Sequence, residues 1–168
     1  MISPEVDPQE QVSSEILNLM LDIHIIMKIA VPNLTGIQEA KIHLLYILDE
    51  SSPQSMTELC NQMYISKPYM TRLVDSLVSE GAIERHPDEK DRRVINISIT
   101  DEGKESLRKM FMDLKGYLKP YLSEFSSADL HQICMASKDL HTTFMKNPTF
   151  RSQGISSVYH SPDHQKNE

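Results

Sequence analysis

The 168-residue sequence has no tryptophan, two cysteines and five glycines, and aromatic residues make up only 6% of it. Each scarcity excludes something. Cys60 and Cys134 stand far apart with no C-x-x-C spacing, so neither a disulfide framework nor a cysteine zinc site is expected, and a reducing interior is the simpler assumption. The seven histidines include one close pair, His160 and His164, and no dense ligand motif, so no metal is expected. There is no Gly-rich phosphate loop, nucleophile elbow or paired-carboxylate signature, which argues against an enzyme and gives no cofactor to look for. No basic-apolar-small leader opens the chain. The longest apolar run, residues 23–31, is interrupted by His24 and Lys28 and falls short of the roughly 20 residues a membrane helix requires. A soluble, cytoplasmic protein without a membrane partner is the expectation.

Basic charge is also in short supply, since the net charge is -7. A nucleic-acid partner normally calls for a basic footprint, so the sum argues against one. The distribution argues the other way. Between residues 55 and 95 stand Lys67, Arg72, Arg85, Lys90, Arg92 and Arg93, while acids dominate elsewhere. An acidic body with its cations gathered on one face still attracts a polyanion to that face and repels it from the rest.

What the chain does have is isoleucine, leucine and methionine, a composition suited to helices packed on helices. Residues 1–11 are polar, with Pro4 and Pro8, and read as a frayed lead-in. From about Val12 to Ala30 the apolar residues cover more than one helical stripe, so this helix needs cover on more than one side, and a second protomer is the natural source. Pro32 stops it. Thr35 and Gln38 fit a capping box, and Ile37, Leu44, Leu45 and Leu48 follow at helical spacing. A short helix over residues 57–63 takes Ser55 or Thr57 as its cap and turns Leu59, Cys60 and Met63 inward.

The next helix, residues 66–80, has Ser66 as a side-chain cap, Pro68 in its first turn and Gly81 as its stop. Met70, Leu73, Val74, Leu77 and Val78 form one buried stripe. Residues 82–86 and 94–99 read as two strands, with Ile95, Ile97 and Ile99 on one face and a charged loop, residues 87–91, between them. Thr100 caps a long helix that Gly116 and Pro120 interrupt, with a kink expected near Pro120. A last helix starts at residues 126–129 and ends before Pro148, and the remaining polar tail is expected to be disordered. The order helix, turn, helix, strand, loop, strand describes a winged helix-turn-helix in a mainly α protein.

Two clusters carry the chemistry. A recognition helix presents the side chains of its N-terminal half to base edges, and Ser66, Lys67, Pro68, Tyr69, Thr71 and Arg72 lie there, off the buried stripe. Arg72 has the fork geometry for guanine, worth about 1 to 3 kcal/mol of discrimination, while Ser66, Lys67 and Thr71 suit phosphates. At the hairpin tip, Lys90, Arg92 and Arg93 are placed to enter a narrow minor groove. Asp91 would orient one of these arginines, or Asp75 would anchor the wing through Arg93. Taken singly, the helix reads more readily as an ordinary solvated face, and the hairpin as one that blunts a sheet edge; the cap, the preceding short helix and the hairpin together favour the DNA-binding reading.

Residues 56–60 (MTELC), 65–75 (ISKPYMTRLVD), 80–85 (EGAIER), 91–94 (DRRV) and 99–103 (ITDEG) together resemble the MarR family of transcriptional regulators. The resemblance implies a homodimer built by the N-terminal helix and the two C-terminal helices, with one winged helix per protomer on a pseudo-palindromic duplex DNA operator, as a repressor. It also implies a small aromatic or phenolic effector in the crevice between the dimer region and the DNA-binding lobe, or in some members an oxidant. Cys60 departs from the small apolar residue usual at its position. A buried filler is the reading favoured for it and for Cys134, over a redox sensor. The organisation expected is a tail and dimerisation helix over 1–34, the DNA-binding lobe over 35–100, the C-terminal dimerisation helices over 101–147 and the tail over 148–168. A winged-helix protein-interaction module, or a metal or redox sensor of the same fold, is the alternative.

Overall fold

The computed structural model describes residues 7–31 and 34–148. The expected stop at Pro32, residues 1–6 of the lead-in and residues 149–168 of the tail lie outside them. The first helix, α1, spans Pro8–Ala30. It begins four residues before the expected Val12, because the Asp7 carboxylate accepts the Gln9 amide at 3.0 Å and Pro8 occupies a first-turn position where no N–H is needed. Of its residues only Ala30 is buried, and Met20 and Leu21 are each 62% exposed. Helix α2, Gly36–Glu50, carries the expected capping box: the Thr35 hydroxyl accepts the Gln38 amide, and the Thr35 amide donates to Gln38 Oε1 at 2.8 Å. Leu44, Leu45, Ile47 and Leu48 are buried, whereas Ile37 stays exposed in the first turn.

A strand of two residues, β1 (Gln54–Ser55), was not expected, since two polar residues carry no alternation to detect. Ser55 also caps α3, Met56–Met63, in a second capping box with Glu58, whose carboxyl is held below its ordinary range by the Ser55 amide. Tyr64 closes α3 in the left-handed region at φ 53°, a conformation that costs a non-glycine residue about 1 kcal/mol. Helix α4 spans Lys67–Ser79, with Met70, Leu73, Val74 and Leu77 buried as their spacing required. Gly81 follows at φ +73° and reverses the chain.

Strands β2 (Ile83–Pro87) and β3 (Ile95–Ile99) form the wing, and β1 pairs with the other edge of β3, so the sheet has three antiparallel strands in the order β1-β3-β2. Ile97 is fully buried and Ile99 partly, while Ile95, nearest the tip, is exposed. The tip turns on Asp88. Its carboxylate accepts the amides of Asp91 at 3.0 Å and Lys90 at 2.9 Å and the side-chain amide of Asn96 at 3.0 Å.

The long helix α5, Asp101–Leu122, runs through Gly116 and Pro120 without a break in its helical assignment. Pro120 falls in its last turn, so the one ladder bond that its missing N–H forgoes lies close to the end of the helix. Tyr121 donates its hydroxyl to the Ile29 carbonyl at 3.1 Å and so ties α5 to α1, and Phe111 meets Tyr46 of α2 edge to face. Helix α6, Ser127–Met145, buries no residue. Leu130, Ile133, Cys134 and Leu140 are exposed in the single chain, which corrects the expectation of a buried thiol there. Cys60 is partly covered and packs against the core as expected.

The core lies where α2, α3, α4, the sheet and the start of α5 converge. Its tightest point is Gly103. A Cβ added there would stand 2.0 Å from the Ala82 carbonyl oxygen and 2.9 Å from Ile99 Cγ1. The same junction is tied by Thr100, whose hydroxyl donates to the Gly81 carbonyl at 2.7 Å and accepts the Gly103 amide at 3.0 Å.

Because backbone rather than a flexible side chain blocks the site, Gly103→Ala should destabilise the protein by about 1 to 3 kcal/mol, read as a lower urea midpoint at unchanged slope. An unchanged midpoint would refute the close approach. The Asp88 carboxyl lies below its ordinary value of 3.8, chiefly through the Asp91 amide and then the Lys90 amide. A depressed folded value means that this contribution is present above pH 3.8 and is lost as pH falls through the lower folded value. NMR shifts of the Lys90 and Asp91 amides should therefore titrate with a midpoint below 3.8, and a midpoint at or above it would contradict the turn.

Candidate nucleic-acid interface

Burial of the Met70, Leu73, Val74 and Leu77 stripe sets the rotation of α4, so Ser66, Lys67, Pro68, Thr71 and Arg72 are exposed and Tyr69 is partly covered. Ser66 occupies the cap position in extended backbone, but its side chain makes no capping bond, contrary to expectation. One of the usual targets is missing, because Pro68 at the second helical position has no N–H. The hydroxyl and the first-turn amides therefore remain available to an anion. Thr71 differs: its hydroxyl donates to the Lys67 carbonyl at 2.9 Å, so it can serve a phosphate only by giving that bond up. Arg72 lies with its Cζ 5.6 Å from the centroid of the Tyr69 ring.

The two acids expected to orient the wing behave differently from each other. Asp91 does hold an arginine: Arg93 donates through its backbone amide and Nε to Oδ1, both at 3.0 Å, and through Nη2 to Oδ2 at 3.1 Å. The Asp91 carboxyl is accordingly pulled below its usual range, first by the Arg93 side chain and then by its amide. The Arg93 side chain is nevertheless 90% exposed. Asp75 does not reach Arg93. It takes Arg85 of β2, Nη2 to Oδ1 at 2.5 Å, because β2 is the strand that runs beside α4, while Arg93 sits in the turn at the tip of the hairpin. Sequence reasoning counted Arg85 only as a cation, and no spacing rule would have paired residues ten apart across a helix end and a glycine turn.

A second clamp was also missed. Lys41 of α2 pairs with Glu80, which also accepts the Ser76 hydroxyl at 2.9 Å, and the Lys41 contact is the main cause that lowers the Glu80 carboxyl. The C-terminal half of α4 is thus held by α2 on one side and by the wing on the other. Arg85 and Arg93 are engaged by carboxylates, which leaves Lys67, Arg72, Lys90 and Arg92 without an ion pair among the described residues. At the tip, Asp88, Glu89 and Asp91 oppose Lys90, Arg92 and Arg93, so the wing is a local arrangement of charges without a net positive one.

Elsewhere, a small crevice between α1 and α2 is lined by His24, Met27, Lys28, Val31, Leu34 and Glu39. Its volume of about 10 Å³, room for no more than a water molecule, is far below the roughly 300 Å³ at which small-molecule pockets begin. Among the described residues no group of three or more His, Cys, Asp or Glu is placed to hold a metal, and no helix is long and apolar enough to cross a membrane.

Residues 37–95 match the model of the MarR family. The chain is 28% identical over 97 residues to the HTH-type transcriptional repressor MdtR of Bacillus subtilis, covering 58% of this chain and 63% of that protein. It is 40% identical over 68 residues to the transcriptional regulator AdcR of Streptococcus pneumoniae, covering 40% and 44%. The matched stretch therefore spans less than two thirds of either relative. A MarR family protein from Bacillus stearothermophilus superposes with a TM-score of 0.61 at 19% identity over 83% of this chain and 99% of its own. The YusO protein from Bacillus subtilis gives 0.60 at 22% over 82% and 99%. These curated relatives are regulators of transcription rather than enzymes, and the solved structures share the whole helical layout. Over residues 37–95, the winged helix-turn-helix built on α2 to β3, the chain is similar to the MarR family of transcriptional regulators, and its fold is that of the solved MarR-family structures.

Proposed function

We propose that the protein is a transcriptional repressor that binds duplex DNA as a homodimer. The observation that carries this reading is the set of unpaired cations, Lys67, Arg72, Lys90 and Arg92, on the exposed face of α4 and at the wing tip, in a chain whose net charge is -7. The first turn of α4 would enter the major groove, with Arg72 on a guanine and Ser66 and Lys67 on phosphates. Thr71 joins them only if its hydroxyl turns from the Lys67 carbonyl. Arg92 and Lys90 would reach the adjacent backbone or minor groove, and Arg93, held by Asp91, would give the tip its shape.

The exposed apolar residues of α1, α5 and α6, among them Leu17, Met20, Met112, Tyr117, Ile133 and Met135, support dimerisation. Isolated surface apolar residues are ordinary, but three helices sharing an uncovered apolar surface call for a partner. A second copy would place two winged helices on half-sites about 34 Å apart, one turn of the duplex. In this scheme residues 35–100 are the DNA-binding lobe and the flanking helices form the dimer region. A small aromatic or phenolic effector would lower DNA affinity by favouring a lobe spacing that no longer matches the groove. The α1–α2 crevice is too small to receive it unless the helices separate or the second protomer adds a wall.

Light scattering on the intact chain should give twice the mass of 19.3 kDa, and a monomer at micromolar concentration would contradict the two-half-site reading. For DNA, a duplex enriched by the wild-type protein from a random pool can be compared with a scrambled one by fluorescence anisotropy across salt concentrations. Arg72→Ala should weaken binding to the enriched duplex by about 1 to 3 kcal/mol and barely change the scrambled one. Arg92→Ala should weaken both alike and reduce the slope of log K against log salt by about one for each phosphate it ceases to neutralise. Binding that neither change alters would overturn the proposal.

A further inference from the structure

We infer that Tyr69 is a positioning residue for Arg72: its ring is the platform that holds the guanidinium extended and unpaired for base readout. The inference rests on the DNA-binding reading and names the device that makes one of its contacts specific. An exposed arginine on a helix samples many rotamers, and ordering it on binding offsets part of what the contact contributes. Arg72 has a neighbour that restricts it beforehand. Its Cζ lies 5.6 Å from the Tyr69 ring centroid, within the range where a guanidinium is attracted to the face of an aromatic ring. Residues three apart on a helix share a face, so the contact is local to α4 and needs no other element. The ring is itself partly covered, whereas Arg72 is exposed, so the platform is the fixed member of the pair.

A second observation points the same way. The nearest competitor for Arg72 along the helix is Asp75, three residues on, and a carboxylate there would draw the guanidinium towards the C-terminal end and neutralise it. Asp75 is instead engaged by Arg85 of β2 at 2.5 Å. Among the described residues Arg72 has no carboxylate partner, in contrast to Arg85, Arg93 and Arg108. The wing strand thus removes the competing acid while the tyrosine supplies the support.

The test separates the platform from the DNA reading. In the free protein, the Arg72 side-chain protons should show an upfield ring-current shift by NMR that persists in Tyr69→Phe and disappears in Tyr69→Leu. Its absence in the wild type would overturn the platform whatever the protein binds. On the enriched and scrambled duplexes, Tyr69→Phe should keep the wild-type ratio of affinities, and Tyr69→Leu should reduce that ratio about two- to fivefold. In the Arg72→Ala background Tyr69→Leu should have no further effect, because the platform then has nothing to hold. A far-UV circular dichroism spectrum and urea midpoint like those of the wild type verify that Tyr69→Leu is folded. Independent, multiplying effects of the two substitutions would overturn the proposal, as would a loss in Tyr69→Phe equal to that in Tyr69→Leu, which would assign the role to the hydroxyl. A ring-current shift present in a protein that enriches no duplex would refute the DNA reading and remove the functional role with it.

Discussion

Everything the candidate interface does depends on the burial of one stripe on α4. Met70, Leu73, Val74 and Leu77 are each at most 1% exposed, and together they fix both the depth and the rotation of the helix. A helix held this way has no freedom to choose which residues it presents. Lys67 and Arg72 face outward because their neighbours in the sequence face inward. The face that α4 presents is therefore a by-product of packing, as close-packed interiors make it.

The stripe sets the rotation, and the ends set the direction. Gly81 reverses the chain, Thr100 bonds the Gly81 carbonyl, and Gly103 allows the first turn of α5 to lie against the Ala82 carbonyl. These contacts join the exit of α4, the outer wing strand and the start of α5 in one small junction. The Lys41–Glu80 and Asp75–Arg85 pairs span it from either side. Exposed pairs contribute little stability individually, about 0.2 to 1 kcal/mol. Their larger effect here is to decide which charged groups are occupied. Asp75 on Arg85 and Asp91 on Arg93 consume both the acids and two of the cations, and what remains unpaired is what a phosphate or base can use.

The acidic total and the apolar flanks belong to the same picture. A strongly acidic chain that carried its cations evenly would repel a polyanion everywhere. Here Lys67 and Arg72 on α4 and Lys90 and Arg92 at the wing tip stand unpaired on neighbouring elements of one lobe, so repulsion by the acidic remainder favours an approach from that side. The flanking helices show a different incompleteness. Helix α1 is apolar on several sides and α6 buries nothing, so neither reaches the burial its composition calls for within one chain. The proposed dimer would answer both, bringing a second set of cations into play and covering the surface that a single copy leaves in water.

Residue order alone settled the periodic and the local features. The stripe of α4, the capping box at Thr35, the stop at Gly81, the order of the helices and of the two wing strands and the family resemblance were legible because each is written in residues a few positions apart, where backbone geometry decides the outcome. Legibility failed where local signals were slight. Asp7 and Pro8 started α1 earlier than the apolar pattern suggested, and two polar residues gave no hint of β1. Partners, by contrast, were settled by packing. The folded chain gave Asp75 to Arg85 rather than Arg93 and placed Lys41 on Glu80. The physical reason is the same in each case. Hydrogen bonds and ion pairs reach about 3 to 4 Å, and which groups come within that reach depends on how helices and strands far apart in sequence are packed, which no periodicity records.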